Sequence, residues 1–133
     1  MTRPMSRRTR LATLSLLVTA LAVPAVPAVA KGGDDVVRRG GCSKAATWKV
    51  KVSPEDGRLE VEAEVDSNVV GQTWRWRLRH NGSVTARGTR TTAAPSGSFE
   101  VRRVVVNLRG EDRLVYRARN PRSGEVCRGA VTF

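Results

Sequence analysis

The stretch that most constrains the fold runs from residue 73 to residue 80 and reads Thr-Trp-Arg-Trp-Arg-Leu-Arg-His. Its apolar side chains, Trp74, Trp76 and Leu78, alternate with three arginines. Because successive side chains of a strand point to opposite faces, this period of two predicts a strand with one buried and one solvated face. We therefore expect a β-protein whose core contains both tryptophans and whose surface carries the three arginines.

Short alternating runs separated by turn residues continue through the chain from residue 44, and no stretch has a helical period. The predicted strands are 45–52, 58–66, 73–80, 84–91, 99–108, 113–120 and 125–133. Asn81-Gly82 is a strong hairpin signal, because both residues tolerate the positive φ of a type I′ turn. The alternation breaks at Arg102-Arg103, which predicts a β-bulge that keeps the apolar residues on both sides inside. The pattern predicts an all-β domain of seven strands over residues 44–133.

Residues 1–30 have the features of a cleaved signal peptide. An arginine-rich start precedes an apolar run over residues 11–23, which is too short to span a bilayer, and Ala28-Val29-Ala30 follows. We predict cleavage between Ala30 and Lys31, no transmembrane helix in the mature chain, and a secreted or cell-envelope protein. Residues 6–11 resemble a twin-arginine signal except at Arg10, so the general secretory and twin-arginine routes both stay open.

The exported chain is strongly basic. Residues 1–30 hold four arginines and no acid, so their removal lowers the formal net charge from +12 to +8. Arginine greatly exceeds lysine, a bias that is typical of GC-rich actinobacteria. Residues 31–43 are rich in glycine with balanced charge, which predicts a flexible N-terminal segment.

The chain has two cysteines, Cys42 and Cys127, and both lie in the exported part. An even number of cysteines in an oxidising compartment predicts a disulfide. Two cysteines and one histidine are too few for a zinc site, so we expect no metal.

Residues 108–119 resemble the end of strand E, the E–F turn and strand F of an immunoglobulin domain. The family pattern is Asp-x-small-x-Tyr-x-Cys, and Asp112, Leu114, Tyr116 and Ala118 occupy its places. The resemblance implies a seven-stranded immunoglobulin-like β-sandwich in which the tyrosine hydroxyl bonds back to the chain and a tryptophan of residues 73–80 is buried. Alanine stands where the family has a cysteine, so the usual inter-sheet disulfide is absent.

The immunoglobulin order implies that strands 45–52, 58–66 and 99–108 share one sheet and strands 73–80, 113–120 and 125–133 the other. The first sheet pairs outward lysines with outward glutamates, as in an ordinary soluble surface. The second sheet has outward arginines and no outward acid. These candidate binding residues are Arg75, Arg77, Arg79, Arg113, Arg117, Arg119 and Arg128.

Guanidinium groups bind carboxylate, phosphate and sulfate bidentately, so this surface is a candidate site for an anionic partner. The partner classes are an anionic polymer, a membrane headgroup or an acidic protein. The alternative is a solvated surface covered by acidic residues, either Asp34-Asp35 or Glu111-Asp112.

The sequence contains no glycine-rich phosphate loop, serine nucleophile motif, metal-spaced set or specific nucleic-acid motif, and His80 stands alone beside a turn. We therefore expect a non-catalytic module without cofactor. Two other functions stay open. Trp74-Arg75-Trp76 is similar to the Trp-Arg-Tyr of α-amylase inhibitors, which implies an inhibitor of an extracellular hydrolase. An immunoglobulin-like scaffold also serves as a small-ligand carrier in the apoproteins of enediyne antibiotics.

Overall fold

The computed structural model describes residues 33–133. The predicted signal peptide and its cleavage site between Ala30 and Lys31 lie outside the described residues. No helix within residues 33–133 is long and apolar enough to cross a membrane.

Within residues 33–133, eight strands form two four-stranded antiparallel sheets. In chain order they are β1 (Val36–Gly41), β2 (Thr47–Glu55), β3 (Arg58–Asp66), β4 (Thr73–His80), β5 (Ser83–Thr91), β6 (Ser98–Val106), β7 (Arg113–Arg119) and β8 (Val126–Thr132). The first sheet has the order β1-β2-β3-β6, and the second sheet has the order β5-β4-β7-β8. Both sheets contribute to one apolar core, as in a β-sandwich. The all-β prediction and the predicted division of strands between the sheets are confirmed.

Strand β1 corrects the prediction of a flexible segment over residues 31–43 and raises the strand count from seven to eight. It pairs antiparallel with β2 along its whole length, from Val36 opposite Val52 to Gly41 opposite Thr47. Its backbone groups thereby find hydrogen-bond partners on the open edge of β2. Glycine at position 40 is needed here, because a Cβ atom would lie only 2.7 Å from the Trp48 ring.

Strand β4 is central to the core, and its alternation places the residues as predicted. Trp74 is 0% exposed and Trp76 is 3% exposed, whereas Arg75 between them and Arg77 after them are at the surface. Trp74 lies against Phe99 of the first sheet, and Trp76 stacks on Tyr116 of β7, each with 6.4 Å between ring centroids. Burial of one large apolar side chain contributes about 2–3 kcal/mol, so these aromatic residues hold much of the core together.

The predicted β-bulge at Arg102-Arg103 is wrong, because the register of β6 with β3 is continuous. Arg103 therefore takes an inward position, where its guanidinium carbon lies 5.0 Å from the centroid of the Trp76 ring. This cation–π contact at an edge strand accommodates the charge without a change of register. The apolar residues beyond the predicted break are exposed rather than inside: Val104, Val106 and Leu108.

The predicted hairpin between β4 and β5 is confirmed. Asn81 has φ 46° and Gly82 has φ 88°, the two positive values of a type I′ turn. A β-bulge lies close to this turn, since the register of β4 with β5 shifts between Leu78 and Arg79. This shift decides which residues of β5 point outward, and it places Arg87 on the solvent face of the second sheet.

The predicted disulfide between Cys42 and Cys127 is confirmed, and it joins the segment before β2 to β8 across a sequence separation of 85. Two hydrogen bonds between Ser43 and Val126 also hold this segment. The Ser43 backbone N–H donates to the Val126 carbonyl, and the Val126 N–H donates to the Ser43 hydroxyl, both at 2.8 Å. The first and last parts of the fold are therefore fastened together covalently and by hydrogen bonds.

Candidate anion-binding face

The outer face of the second sheet carries eight arginines, and we call it the arginine face. Its members are Arg75, Arg77 and Arg79 on β4, Arg87 on β5, Arg113, Arg117 and Arg119 on β7, and Arg128 on β8. All seven arginines predicted from the sequence lie on it, and the eighth is Arg87. The pleat of the strands aims these side chains outward, because their neighbours on β4, β7 and β8 point into the core.

The strand register brings four of these arginines into line. Arg77 lies directly opposite Arg87 of β5 on one side and opposite Arg117 of β7 on the other. Arg117 in turn lies opposite Arg128 of β8. We call this set the arginine row: Arg87, Arg77, Arg117 and Arg128, in order across the four strands.

The arginine row places like charges at positions where most sheets avoid them. Directly opposite side chains of an antiparallel pair have their Cβ atoms about 5 Å apart. Two unit charges at that distance repel by about 0.8 kcal/mol even in bulk water. Long arginine side chains reduce this repulsion by splaying apart, but neighbouring acids would remove it, and the second sheet has none.

The four strands of the second sheet contain no aspartate or glutamate. All twelve acidic residues of the chain lie within residues 33–133. The ion-paired acids of the first sheet and its edge contact Lys49, Lys51 or Arg102, which lie outside the face.

Asp35, one of the acidic residues predicted to cover the face, instead pairs with Lys51 of the first sheet, with 3.1 Å between Nζ and Oδ2. The hydrogen bond from Lys51 lowers the pKa of Asp35. Of the other acidic residues predicted to cover the face, Asp112 is fully buried, and Asp34 and Glu111 are exposed.

The outer face of the first sheet has the opposite character. Lys49 lies directly opposite Glu64 and forms an ion pair with it at 2.6 Å. Arg102 contacts Glu60 at 3.4 Å and Glu62 at 2.5 Å. Exposed pairs of this kind contribute between zero and about 1 kcal/mol each. The prediction of a charge-balanced first sheet is confirmed. An arginine-rich composition does not by itself produce a row of arginines without acidic partners, because the same chain pairs its charges on the first sheet.

A shallow cavity of about 160 Å³ lies on the arginine face near the β4–β5 turn. Its walls consist of Arg77, Arg79, Arg113, Arg117 and Arg128, together with Gly82 and Val115. A larger cavity of about 410 Å³ lies beside Trp48 on the first sheet, but its lining mixes Arg39 and Lys49 with Glu64 and Asp66. Only the smaller of these two cavities has a single sign of charge, and it suits an oxyanion.

His80 has a partner in the structure that the sequence does not indicate. Its Nε2 atom lies 2.5 Å from Oδ1 of Asp112, and the two side chains are 9% and 0% exposed. The Leu108 backbone N–H also donates to the Asp112 carboxylate, at 3.3 Å to each oxygen. The two residues are 32 positions apart, so only the meeting of the β4 end with the β6–β7 loop brings them together.

The tyrosine of the immunoglobulin-like motif departs from the family pattern. The Tyr116 hydroxyl is buried and forms no hydrogen bond within residues 33–133. Burial raises the pKa of this hydroxyl. The bond back to the chain that the resemblance implies is therefore not formed, and Asp112 links the elements of the corner instead.

No group of three histidine, cysteine, aspartate or glutamate residues in the described part of the chain is placed to hold a metal ion. No family model, curated protein or solved structure matches the chain.

Proposed function

We propose that the chain is a secreted, non-catalytic module with an immunoglobulin-like β-sandwich fold, and that it binds an anionic partner through the arginine face. The observation that carries the proposal is the composition of the second sheet. Eight arginines lie on its outer face, and its four strands contain no acid. A negatively charged ligand would reduce the electrostatic repulsion between these arginines.

The immunoglobulin-like assignment rests on strand order and on one motif. β2, β3 and β6 share one sheet while β4, β7 and β8 share the other, as the resemblance implies. Asp112 and Tyr116 are both buried at the entry to β7. The added strand β1 and the unbonded tyrosine hydroxyl are departures. Export is supported by the Cys42–Cys127 disulfide, since such bonds persist in oxidising compartments, and by the signal-like pattern of residues 1–30.

The chemistry of the face favours oxyanions. Each guanidinium presents a rigid fork of N–H donors that matches two oxygens of a carboxylate, phosphate or sulfate. The partner classes are an anionic polymer, an anionic membrane headgroup or an acidic protein. All of them predict binding that weakens steeply with salt, because binding releases counterions from the partner.

We expect the triple variant Arg75→Gln, Arg77→Gln and Arg117→Gln to bind heparin and polyphosphate about 100-fold more weakly at ~0.1 M salt than the unmodified protein. The reason is that one charge contact to a flexible polyanion contributes about fivefold under these conditions. The slope of log K against log salt concentration should become less steep by about 2. Fluorescence titration at several salt concentrations measures both quantities.

The matched control is the triple variant Arg39→Gln, Arg58→Gln and Arg109→Gln, which removes the same charge from exposed arginines outside the face. It should keep affinity within about threefold, since long-range electrostatics are screened beyond about 10 Å at this salt. Equal losses in the two triple variants would mean that net charge, rather than the face, governs binding, and would remove the proposal.

The Trp-Arg-Trp motif of the hydrolase-inhibitor alternative is not available at the surface. Trp74 and Trp76 are both buried in the core, and only Arg75 between them is exposed. An inhibitor that acts through this motif would need the aromatic rings outside, so no observation favours that function over anion binding.

A further inference from the structure

We propose that the ligand of the arginine face is an unbranched phosphate polymer that lies along the arginine row and crosses the four strands of the second sheet. This inference rests on the proposed function and specifies its partner. It goes beyond anion binding because it fixes the direction of the ligand, the number of arginines in contact and the chemistry of the backbone that joins the charges.

The direction follows from the register. Arg87, Arg77, Arg117 and Arg128 occupy directly opposite positions on four neighbouring strands. Strands in a sheet lie about 4.8 Å apart, so the row extends roughly 14 Å perpendicular to the strands. A single phosphate or sulfate cannot contact all four arginines, whereas a flexible chain of anions laid across the strands can.

The spacing also suits phosphate in the gaps of the row. Charge-assisted hydrogen bonds between guanidinium and phosphate are about 2.7–2.9 Å long. Neighbouring side chains of the row start about 5 Å apart, so one phosphate can accept hydrogen bonds from two adjacent arginines. A phosphate between two arginines attracts both of them and offsets their mutual repulsion. The row has a position for one such phosphate between each pair of neighbouring arginines.

The apolar and aromatic residues of the sheet disfavour other polyanions. Proteins that bind single-stranded nucleic acid stack bases on exposed aromatic rings. Trp74, Trp76 and Tyr116 of the four strands are all buried, and the His80 ring is only 9% exposed. A membrane-binding face buries apolar side chains in the headgroup region, whereas the exposed large apolar residue in these strands is Val84 at the sheet edge. The face therefore lacks the exposed rings that bind bases and the apolar patch that enters a bilayer, and a phosphate chain without either group fits it.

Arg87 decides between a chain ligand and a single anion. It lies at the β5 end of the row and does not line the 160 Å³ cavity. A small anion held in the cavity does not need Arg87, whereas a polymer that spans the row does. Arg90 is the matched control, because it is exposed on the same strand and lies opposite Trp74, which points into the core.

The experiment compares tripolyphosphate with long-chain polyphosphate, at equal phosphate concentration, for the unmodified protein, Arg87→Gln and Arg90→Gln. The unmodified protein should bind the long chain on the order of 100-fold more tightly, because further phosphates bind intramolecularly. Arg87→Gln should weaken long-chain binding about fivefold at ~0.1 M salt and leave tripolyphosphate binding within about twofold. Arg90→Gln should leave both within about twofold.

Three results would overturn the inference while leaving the proposed function in place. They are equal affinity for the two phosphates, equal effects of Arg87→Gln and Arg90→Gln, and tighter binding of oligothymidylate, heparin or phosphatidylglycerol vesicles than of long-chain polyphosphate at matched charge. If none of these anions binds, or if both triple variants lose affinity equally, the proposed function itself is wrong.

Discussion

Replacement of Cys42 and Cys127 with alanine is expected to lower the free energy of unfolding by about 4–5 kcal/mol. The disulfide joins residues 85 positions apart, so its removal restores a large conformational freedom to the unfolded chain. Alanine is preferred to serine because Cys127 is fully buried and a hydroxyl there would lack a partner. Urea unfolding followed by tryptophan fluorescence measures the change.

Domains of this size have a free energy of unfolding of about 5–15 kcal/mol, so the double variant should be close to the limit of folding at 37 °C. A reducing agent should destabilise the unmodified protein by a similar amount and leave the double variant unchanged. A loss of less than about 1 kcal/mol would show that the bond contributes little and that Ser43, Val126 and the core alone hold the segment to β8.

Replacement of Asp112 with alanine is expected to lower the free energy of unfolding by about 3–5 kcal/mol. Asp112 is fully buried, pairs with His80 and accepts the Leu108 N–H. Its removal leaves these groups without their acceptor in a place that water does not reach. Thermal and urea unfolding give the value, and circular dichroism checks that the variant keeps its strands.

The neighbouring Glu111 supplies the matched control, because it is exposed and carries the same charge. Glu111→Ala should change stability by no more than about 0.5 kcal/mol. A double-mutant cycle of Asp112→Ala with His80→Ala isolates the interaction energy of the two side chains. We expect the double variant to be more stable than the sum of the two single losses predicts, by about 1–3 kcal/mol. Additive losses would mean that Asp112 acts through the backbone of the loop and not through His80.

The parts of the fold with a clear period of two could be predicted from the sequence. In residues 73–80 each buried tryptophan is followed by an exposed arginine, so the pattern fixes both the strand and its inward face. Asn81-Gly82 fixes the turn that follows, because few other pairs adopt two positive φ values. The seven predicted arginines follow from this period applied to β4, β7 and β8.

The remaining features depend on contacts between distant residues. Arg87 lies on a polar strand whose apolar residues do not mark an inward face, and the bulge after Leu78 changes which residues point outward. Arg103 occupies an inward position because the register of β6 with β3 is continuous, and its guanidinium lies against the Trp76 ring. β1 forms by pairing with the open edge of β2. Residues 31–43 have no alternating pattern of apolar and polar residues, so the sequence does not predict this strand.

The most direct test of anion binding by the arginine face is a nuclear magnetic resonance titration that follows the Nε–Hε signals of individual arginine side chains as long-chain polyphosphate is added. We predict large shifts for the four members of the arginine row, smaller shifts for the other four arginines of the face, and none for Arg58 and Arg102 of the first sheet. Equal shifts for arginines of both sheets, or shifts confined to the first sheet, would show that the arginine face is not the anion-binding surface.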